Sequence, residues 1–165
     1  MKSIIGLNPI IDEYSRILIL GSMPSKKSLE LKEYYGNHRN HFWRIMESIL
    51  DIDVRLPYST RIEMLLAKGL TLWDVIHSCV REGSLDKNIK NAEPNDLQQF
   101  LLRHKSIQHV FFNGQKPRKY IKSFTPTLLE DIRYGFIVLP SSSPSNTQTI
   151  NKKVEEWKII LQYCG

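Results

Sequence analysis

Two apolar runs, far apart in the chain, end in the same way. Ile17-Leu18-Ile19-Leu20 leads into Gly21-Ser22-Met23-Pro24-Ser25, and Phe136-Ile137-Val138 leads into Leu139-Pro140-Ser141-Ser142-Ser143-Pro144-Ser145-Asn146. Each reads as an inner strand that stops at a tight loop of small residues, proline and hydroxyls. In an open α/β sheet, ligand sites form outside the carboxyl ends of such strands. Small side chains let the backbone approach a ligand there, and N–H groups with hydroxyls suit phosphate. The pattern predicts a phosphorylated polymer held at one edge of a sheet.

Between these runs the period changes. Phe42, Ile45, Met46, Ile49 and Leu50 share one helical face. A second helix is predicted to begin at Thr60, where Thr60 and Glu63 fit a capping box, and to end at Gly69. Residues 70–73 read as a strand followed by Asp74. The polar stretch 77–91 reads as an irregular excursion. Helix returns near Pro94-Asn95 with Leu97, Phe100 and Leu101 inward. Residues 107–112 read as a strand ending at Asn113-Gly114, and Pro117 suits the first turn of the next helix. Val154, Trp157 and Leu161 form the stripe of a last helix. Strands alternating with helices imply parallel pairing through right-handed crossovers. The expected fold class is α/β: a three-layer α/β/α sandwich around about four parallel strands, one domain spanning 1–165.

A chain of 165 residues is long enough for a real core. Its apolar runs are too short to span a membrane, and 1–6 lacks the apolar segment of a signal peptide. The expected location is cytoplasmic, of bacterial type and working at the nucleoid. Cys79 and Cys164, the only cysteines, are expected as free thiols in a reducing compartment. The net charge of +6 fits a polyanionic partner as well as a generically basic protein. Lys and Arg are dispersed, so a nucleic acid would meet a folded surface.

The four strand ends bring Ser22, Met23 and Ser25, then Asp74, Asn113 and residues 141–146 to one rim. A fifth segment, 33–44, mixes aromatics, amides and cations, as a site gripping a nucleobase and its backbone would.

These residues resemble the uracil-DNA glycosylase superfamily, and within it the hypoxanthine-DNA glycosylase branch. The resemblance rests on Gly21-Ser22-Met23-Pro24-Ser25 with Ser28, and on Tyr34-Tyr35 leading to Arg39-Asn40-x-Phe42-Trp43-Arg44. It continues through Leu72-Trp73-Asp74-Val75, Arg81-Glu82-Gly83-Ser84-Leu85-Asp86, Phe111-Phe112-Asn113-Gly114 and Leu139-Pro140-Ser141-x-Ser143-Pro144. The family implies hydrolysis of the bond joining a deaminated base to deoxyribose, with the base extruded into a pocket. Much of the superfamily carries a catalytic Asp or Asn where this chain has Met23. The hypoxanthine branch assigns that role to the Asn before the Phe-Trp pair, here Asn40. Asn37-His38 stands where a His-Pro pair is usual, and Ser141 where uracil-specific enzymes have a His.

The resemblance implies that Asn40 orients water by hydrogen bonding, since an amide is a poor base. Positioning and electrostatics then carry catalysis, without a nucleophilic Lys, a cofactor or a metal, and without strand cleavage. Tyr35 would stack on the flipped base, with Ser22 and Met23 beside it. Asp74 would accept from N1–H of hypoxanthine while Asn113 donates to O6, a pairing that rejects adenine. Uracil shows a similar edge. Ser141, Ser142, Ser143, Pro144, Ser145 and Asn146 would meet DNA phosphates, with Lys26 and Arg39 neutralising others. Ser145 is small where relatives place a wedge. Structural alternatives stand beside each role: Asn40 as a helix cap, Tyr35 as a core residue, Asp74 as a loop cap or ion pair, Asn113 as a turn residue. The serines equally suit a structural turn, and the cations a solvated surface.

The expected activity is therefore a monofunctional glycosylase acting as a monomer on double-stranded DNA that contains a deaminated base. Two other classes compete. Residues 21–28 nearly match a P-loop, with Lys26 in place of its second Gly, which would make the protein a nucleotide-binding protein or kinase. A non-catalytic DNA-binding domain of the same fold would bind duplex and release no base.

Overall fold

A computed structural model describes residues 2–164. In chain order the elements are β1 (Ile4–Ile5), β2 (Ile17–Gly21), α1 (Lys26–Leu31), α2 (Phe42–Leu50), α3 (Tyr58–Ala67), β3 (Leu70–Asp74), β4 (Ile76–Val80), β5 (Lys90–Pro94), α4 (Leu97–Arg103), β6 (His109–Asn113), α5 (Gln115–Phe124), β7 (Gly135–Leu139) and α6 (Ile150–Trp157). Strands β3-β2-β6-β7 form one parallel sheet in that order.

The apolar runs are inner strands because both their faces are covered. Along β2, Ile17 and Ile19 join the core beneath α2, α3 and α6, while Leu18 and Leu20 join the core beneath α4 and α5. The same period of two sends Phe111 one way and Phe112 the other from β6. Each fully buried aliphatic side chain contributes about 1.5–3 kcal/mol of apolar transfer. The chain leaves β2 for β3 on one side and returns to β6 on the other. That reversal opens a crevice beyond the carboxyl ends of β2 and β6.

Four local expectations need correction. Stretch 77–91 is not irregular throughout: β4 and β5 pair antiparallel and, with β1, make a second, three-stranded sheet. Register shifts along β4 break the alternation that would have announced a strand. Helix α3 starts at Tyr58, so Thr60 lies inside it and its capping box does not form. Pro57 supplies the first turn, its carbonyl accepting from Arg61 N–H (3.0 Å). Pro94 closes β5, and α4 begins only after Asp96, whose carboxylate accepts from Gln99 N–H (3.0 Å). After Trp157 the last helix tightens into a 3₁₀ turn, which buries Ile160 and leaves Leu161 44% exposed.

Cys79 is buried and Cys164 half-buried, and both are free thiols. Among the described residues, no helix is long and apolar enough to cross a membrane.

Candidate active site

Parallel pairing sends the carboxyl ends of β2, β3, β6 and β7 to one rim, where they enclose a cavity of about 540 Å³. Gly21, Ser22 and Met23 line it from β2, Asp74 from β3, Asn113 from β6 and Ser141 from the β7 loop. Tyr35 and Asn40 line it from the segment before α2, and Asp86 from the β4–β5 connection.

Asp74 is 5% exposed, and its Oδ2 has no hydrogen-bond partner. Burial first, then the charge of Asp86, pushes its pKa up to about 7, against a smaller opposing pull from Arg81. Its proton is thus held more tightly folded than unfolded. The resulting stabilisation is present below pH 4 and is lost as pH rises through about 7. Asp74 fits because position 21 is glycine. A Cβ there would lie 2.6 Å from Asp74 Oδ1 and 3.6 Å from the Tyr35 hydroxyl. Gly21→Ala therefore displaces the carboxyl group. We expect any reaction seated in this cavity to slow by about 10²-fold, with the melting temperature little changed; single-turnover rates and a thermal melt check both.

Asp86 reaches the cavity half-buried, with its pKa raised chiefly by burial. The Ser22 hydroxyl lies beside it and pulls that pKa down in part, yet misses full hydrogen-bond geometry. Buried Arg81 gives two guanidinium nitrogens to backbone: Nη2 donates to the Pro24 carbonyl (2.6 Å) and Nε to that of Gly83 (2.9 Å), while Nη1 has no partner. It ties the β2 loop to the β4–β5 connection.

Asn113 is committed within the protein. Its Oδ1 accepts from Ser142 N–H (2.8 Å), and its Nδ2 donates to Ser142 Oγ (2.8 Å) and to the Tyr35 hydroxyl (3.2 Å). Donation to a base O6, as expected from sequence, would require one of these bonds to open. The Ser142 carbonyl in turn accepts from His41 N–H (2.9 Å). One amide thus clasps β6, the β7 loop and the start of α2. Gly114, at φ +92°, lets the chain turn there, and a Cβ would sit 3.0 Å from Ser141 Cβ.

Tyr35 lines the cavity with one ring face stacked on Phe42 (4.0 Å between centroids). Its backbone takes φ +55°, a left-handed conformation that costs a non-glycine residue about 1–2 kcal/mol. The strain is held by Phe42, by Asn113, and by neighbouring Tyr34, whose carbonyl accepts from Trp43 Nε1 (3.0 Å).

Asn40 stands one residue before His41, the N-cap of α2, which makes no side-chain cap bond. The Asn40 Oδ1 accepts from Phe42 N–H (2.9 Å) in a turn that leads into α2, and the residue lines the cavity. The second Oδ1 lone pair and the amide hydrogens remain for a ligand. Arg39, exposed, lines a neighbouring groove of about 440 Å³ with Arg44, Pro144 and Asn146.

The 141–146 loop is largely self-fastened, and its predicted phosphate contacts are not equal. Ser142 is 1% exposed with its hydroxyl taken by Asn113, so it cannot meet a phosphate; this corrects the expectation. Ser141 Oγ accepts from Ser143 N–H (3.2 Å), and Asn146 Nδ2 donates to the Ser141 carbonyl (2.9 Å). Ser143 and Ser145 share a hydroxyl–hydroxyl bond (2.9 Å) at the surface. Lys26 is exposed on α1, well placed for solution contacts.

Sequence reasoning missed three supports. Lys153, one of the dispersed lysines, is fully buried, and its Nζ donates to the carbonyls of Asn146 (3.0 Å) and Ser143 (3.3 Å). Its place on the inner side of α6, four residues before Trp157, was the available signal. Asp86 and Arg81 stood in a recognised motif but carried no assigned role.

The profile of the Uracil DNA glycosylase superfamily matches residues 8–164. This chain belongs to that superfamily. The family's members include two curated relatives described as hypoxanthine DNA glycosylases. One, from Methanosarcina acetivorans, is 33% identical over 96% of this chain and 98% of its own. The other, from Methanosarcina barkeri, is 35% identical over 92% and 94%. A solution NMR structure from M. acetivorans, provisionally described as a uracil DNA glycosylase, superposes with a TM-score of 0.83 at 32% identity, covering 98% of each chain. The relatives are archaeal, so the bacterial-type expectation finds no support in them. The superfamily match also removes the P-loop alternative. In the structure Pro24 is buried with its carbonyl held by Arg81, and the following helix is only six residues long.

Proposed function

We propose that this protein is a monofunctional DNA glycosylase that hydrolyses the N-glycosidic bond of hypoxanthine in DNA. The observation that carries the reading is the rim cavity itself. An aromatic wall (Tyr35), an apolar floor (Met23) and a deeply buried carboxyl (Asp74) meet there, with an amide (Asn40) at the mouth. Its volume lies in the range of small-ligand sites. Full-length relatives described as hypoxanthine DNA glycosylases support the choice of base.

In this reading the flipped base lies against the free face of Tyr35 with its polar edge toward Asp74. Asn40 holds a water through its carbonyl oxygen, on the side of the sugar. As the C1′–N9 bond lengthens, the sugar gains oxocarbenium character, and the held water adds to C1′. The products are free base and an abasic site. Asn113 acts by keeping Tyr35 and the β7 loop in register. Arg39, Arg44 and Lys26 take flanking phosphates, and Ser141, Ser143, Ser145 and Asn146 offer hydroxyls and an amide nearby. The reading extends to a single domain over 1–165 that works as a cytoplasmic monomer on duplex DNA.

The test is base release from duplexes carrying inosine, uracil or xanthine opposite each normal base. Hypoxanthine should be released from inosine duplexes, leaving alkali-labile sites and no enzymatic nick. Binding should weaken steeply with salt, as phosphate neutralisation demands. Duplex binding with no base released would instead support the non-catalytic alternative.

A further inference from the structure

We propose that Asp74 and Asp86 form a carboxyl pair sharing one proton, which Asp74 donates to the departing purine while the charge of Asp86 keeps it in place. The inference rests on reading the site as a hypoxanthine glycosylase.

The geometry comes first. Two carboxyl groups from different elements, the end of β3 and the β4–β5 connection, line one cavity. Asp74 Oδ2 is buried without a partner. Arg81 is a buried cation near them; its hydrogen bonds go to the Pro24 and Gly83 carbonyls, its Nη1 has no partner, and among the described residues it forms no ion pair with either acid. From α5, Lys116 lines the cavity nearer Asp86; Lys87 lines it from beside Asp86. Neither is ion-paired among the described residues. From the segment before α2, the Tyr35 hydroxyl lies beside Asp74, while that of Tyr34 donates to the Leu7 and Asn8 carbonyls; burial raises both so that they stay neutral. From β6 comes the neutral amide of Asn113. Two acids thus share a wall beside buried Arg81, which gives two of its three nitrogens to backbone carbonyls and pairs with neither acid. A buried and a half-buried carboxyl facing the same cavity favour a single retained proton. Asp74, the deeper of the two and pushed up to about 7, is its seat.

The chemistry then follows. A hypoxanthine leaving as its N9 anion would develop negative charge against two carboxylates. A proton removes that conflict. Asp74–H gives its proton to purine N7; the C1′–N9 bond breaks with its electron pair on the base, which departs as the neutral N7–H tautomer. Water adds to C1′ and loses one proton to solvent. Asp74, left as a carboxylate, regains a proton from solvent, so one water is consumed and no charge accumulates. Uracil has no ring nitrogen equivalent to N7, so this route favours the purine.

The experiment is the single-turnover rate of hypoxanthine release from an inosine duplex between pH 5.5 and 8.5. The rate should be level at low pH and fall above about pH 7, giving a difference of about tenfold between pH 6 and pH 8. Asp86→Asn should move the falling limb to lower pH and widen the ratio of the pH 6 to the pH 8 rate, whatever its plateau rate. Asp74→Asn should lose about 10²-fold or more at pH 6, with duplex affinity by fluorescence anisotropy unchanged. A duplex carrying 7-deazainosine should be bound and its base retained. A rate that is flat or rises with pH in the parent overturns the proposal without any variant. So does an Asp86→Asn limb that stays in place, or Asp74→Asn activity near parent level. A parent protein that releases no base at any pH overturns the broader functional reading instead.

Discussion

Asn40→Ala lowers hypoxanthine release by about 10²-fold or more and leaves duplex binding nearly unchanged. The amide stands at the cavity mouth, and its remaining lone pair is what could align a water on C1′. The same substitution removes the bond from Phe42 N–H that leads the chain into α2. That costs about 1 kcal/mol, a fall of about 2–4 °C in melting temperature. Asn40→Ser separates the two roles. Its hydroxyl can still accept from Phe42 N–H, so stability returns while base release does not. Recovery of release together with stability would assign Asn40 to the helix alone. Single-turnover rates, anisotropy and thermal melts read all three quantities.

Trp157→Ala carries the largest expected cost in stability. Trp157 is fully buried, meets Phe42 edge-on at 5.9 Å between centroids, and donates from Nε1 to the Pro140 carbonyl (2.8 Å). Truncating such a residue costs about 3–5 kcal/mol, a drop of about 10 °C in melting temperature. The effect reaches the site because Phe42 carries Tyr35 on its other side, and Pro140 opens the 141–146 loop. Trp157→Phe retains an aromatic ring and leaves the Pro140 carbonyl unpaired, at about 1–3 kcal/mol. Chemical denaturation should place it between parent and Trp157→Ala, with base release reduced more than its stability alone implies. A Trp157→Phe variant as active as the parent would show that this bond does not hold the loop.

The site was partly legible because it is made at strand ends. Gly21, Asp74, Asn113 and Ser141 each follow a recognisable apolar run, and parallel pairing must gather them. Asn40 was visible as a residue with two possible duties; the structure puts it one residue before the α2 N-cap, His41, where the Asn40 Oδ1 still accepts from Phe42 N–H. What could not be read was how groups divide their hydrogen bonds. Asn113 and Ser142 looked like free polar groups, yet they satisfy each other across 29 residues of chain. Lys153 looked solvated, yet two loop carbonyls take its ammonium group. The β4–β5 sheet was hidden because register shifts erased its period. That sheet carries Arg81 at its edge and delivers Asp86, so half of the carboxyl pair stayed hidden with it.

The sequence by itself determined the layered α/β plan, the inner strands and the rim at which their loops converge. Those follow from apolar periodicity and from the loop residues, which are local properties of the chain. Only the tertiary structure decided which polar groups remain free for a ligand and which acid holds a proton. Burial and partner choice depend on segments remote in sequence, and the charge of one carboxyl matters to another only once folding brings both to the same cavity.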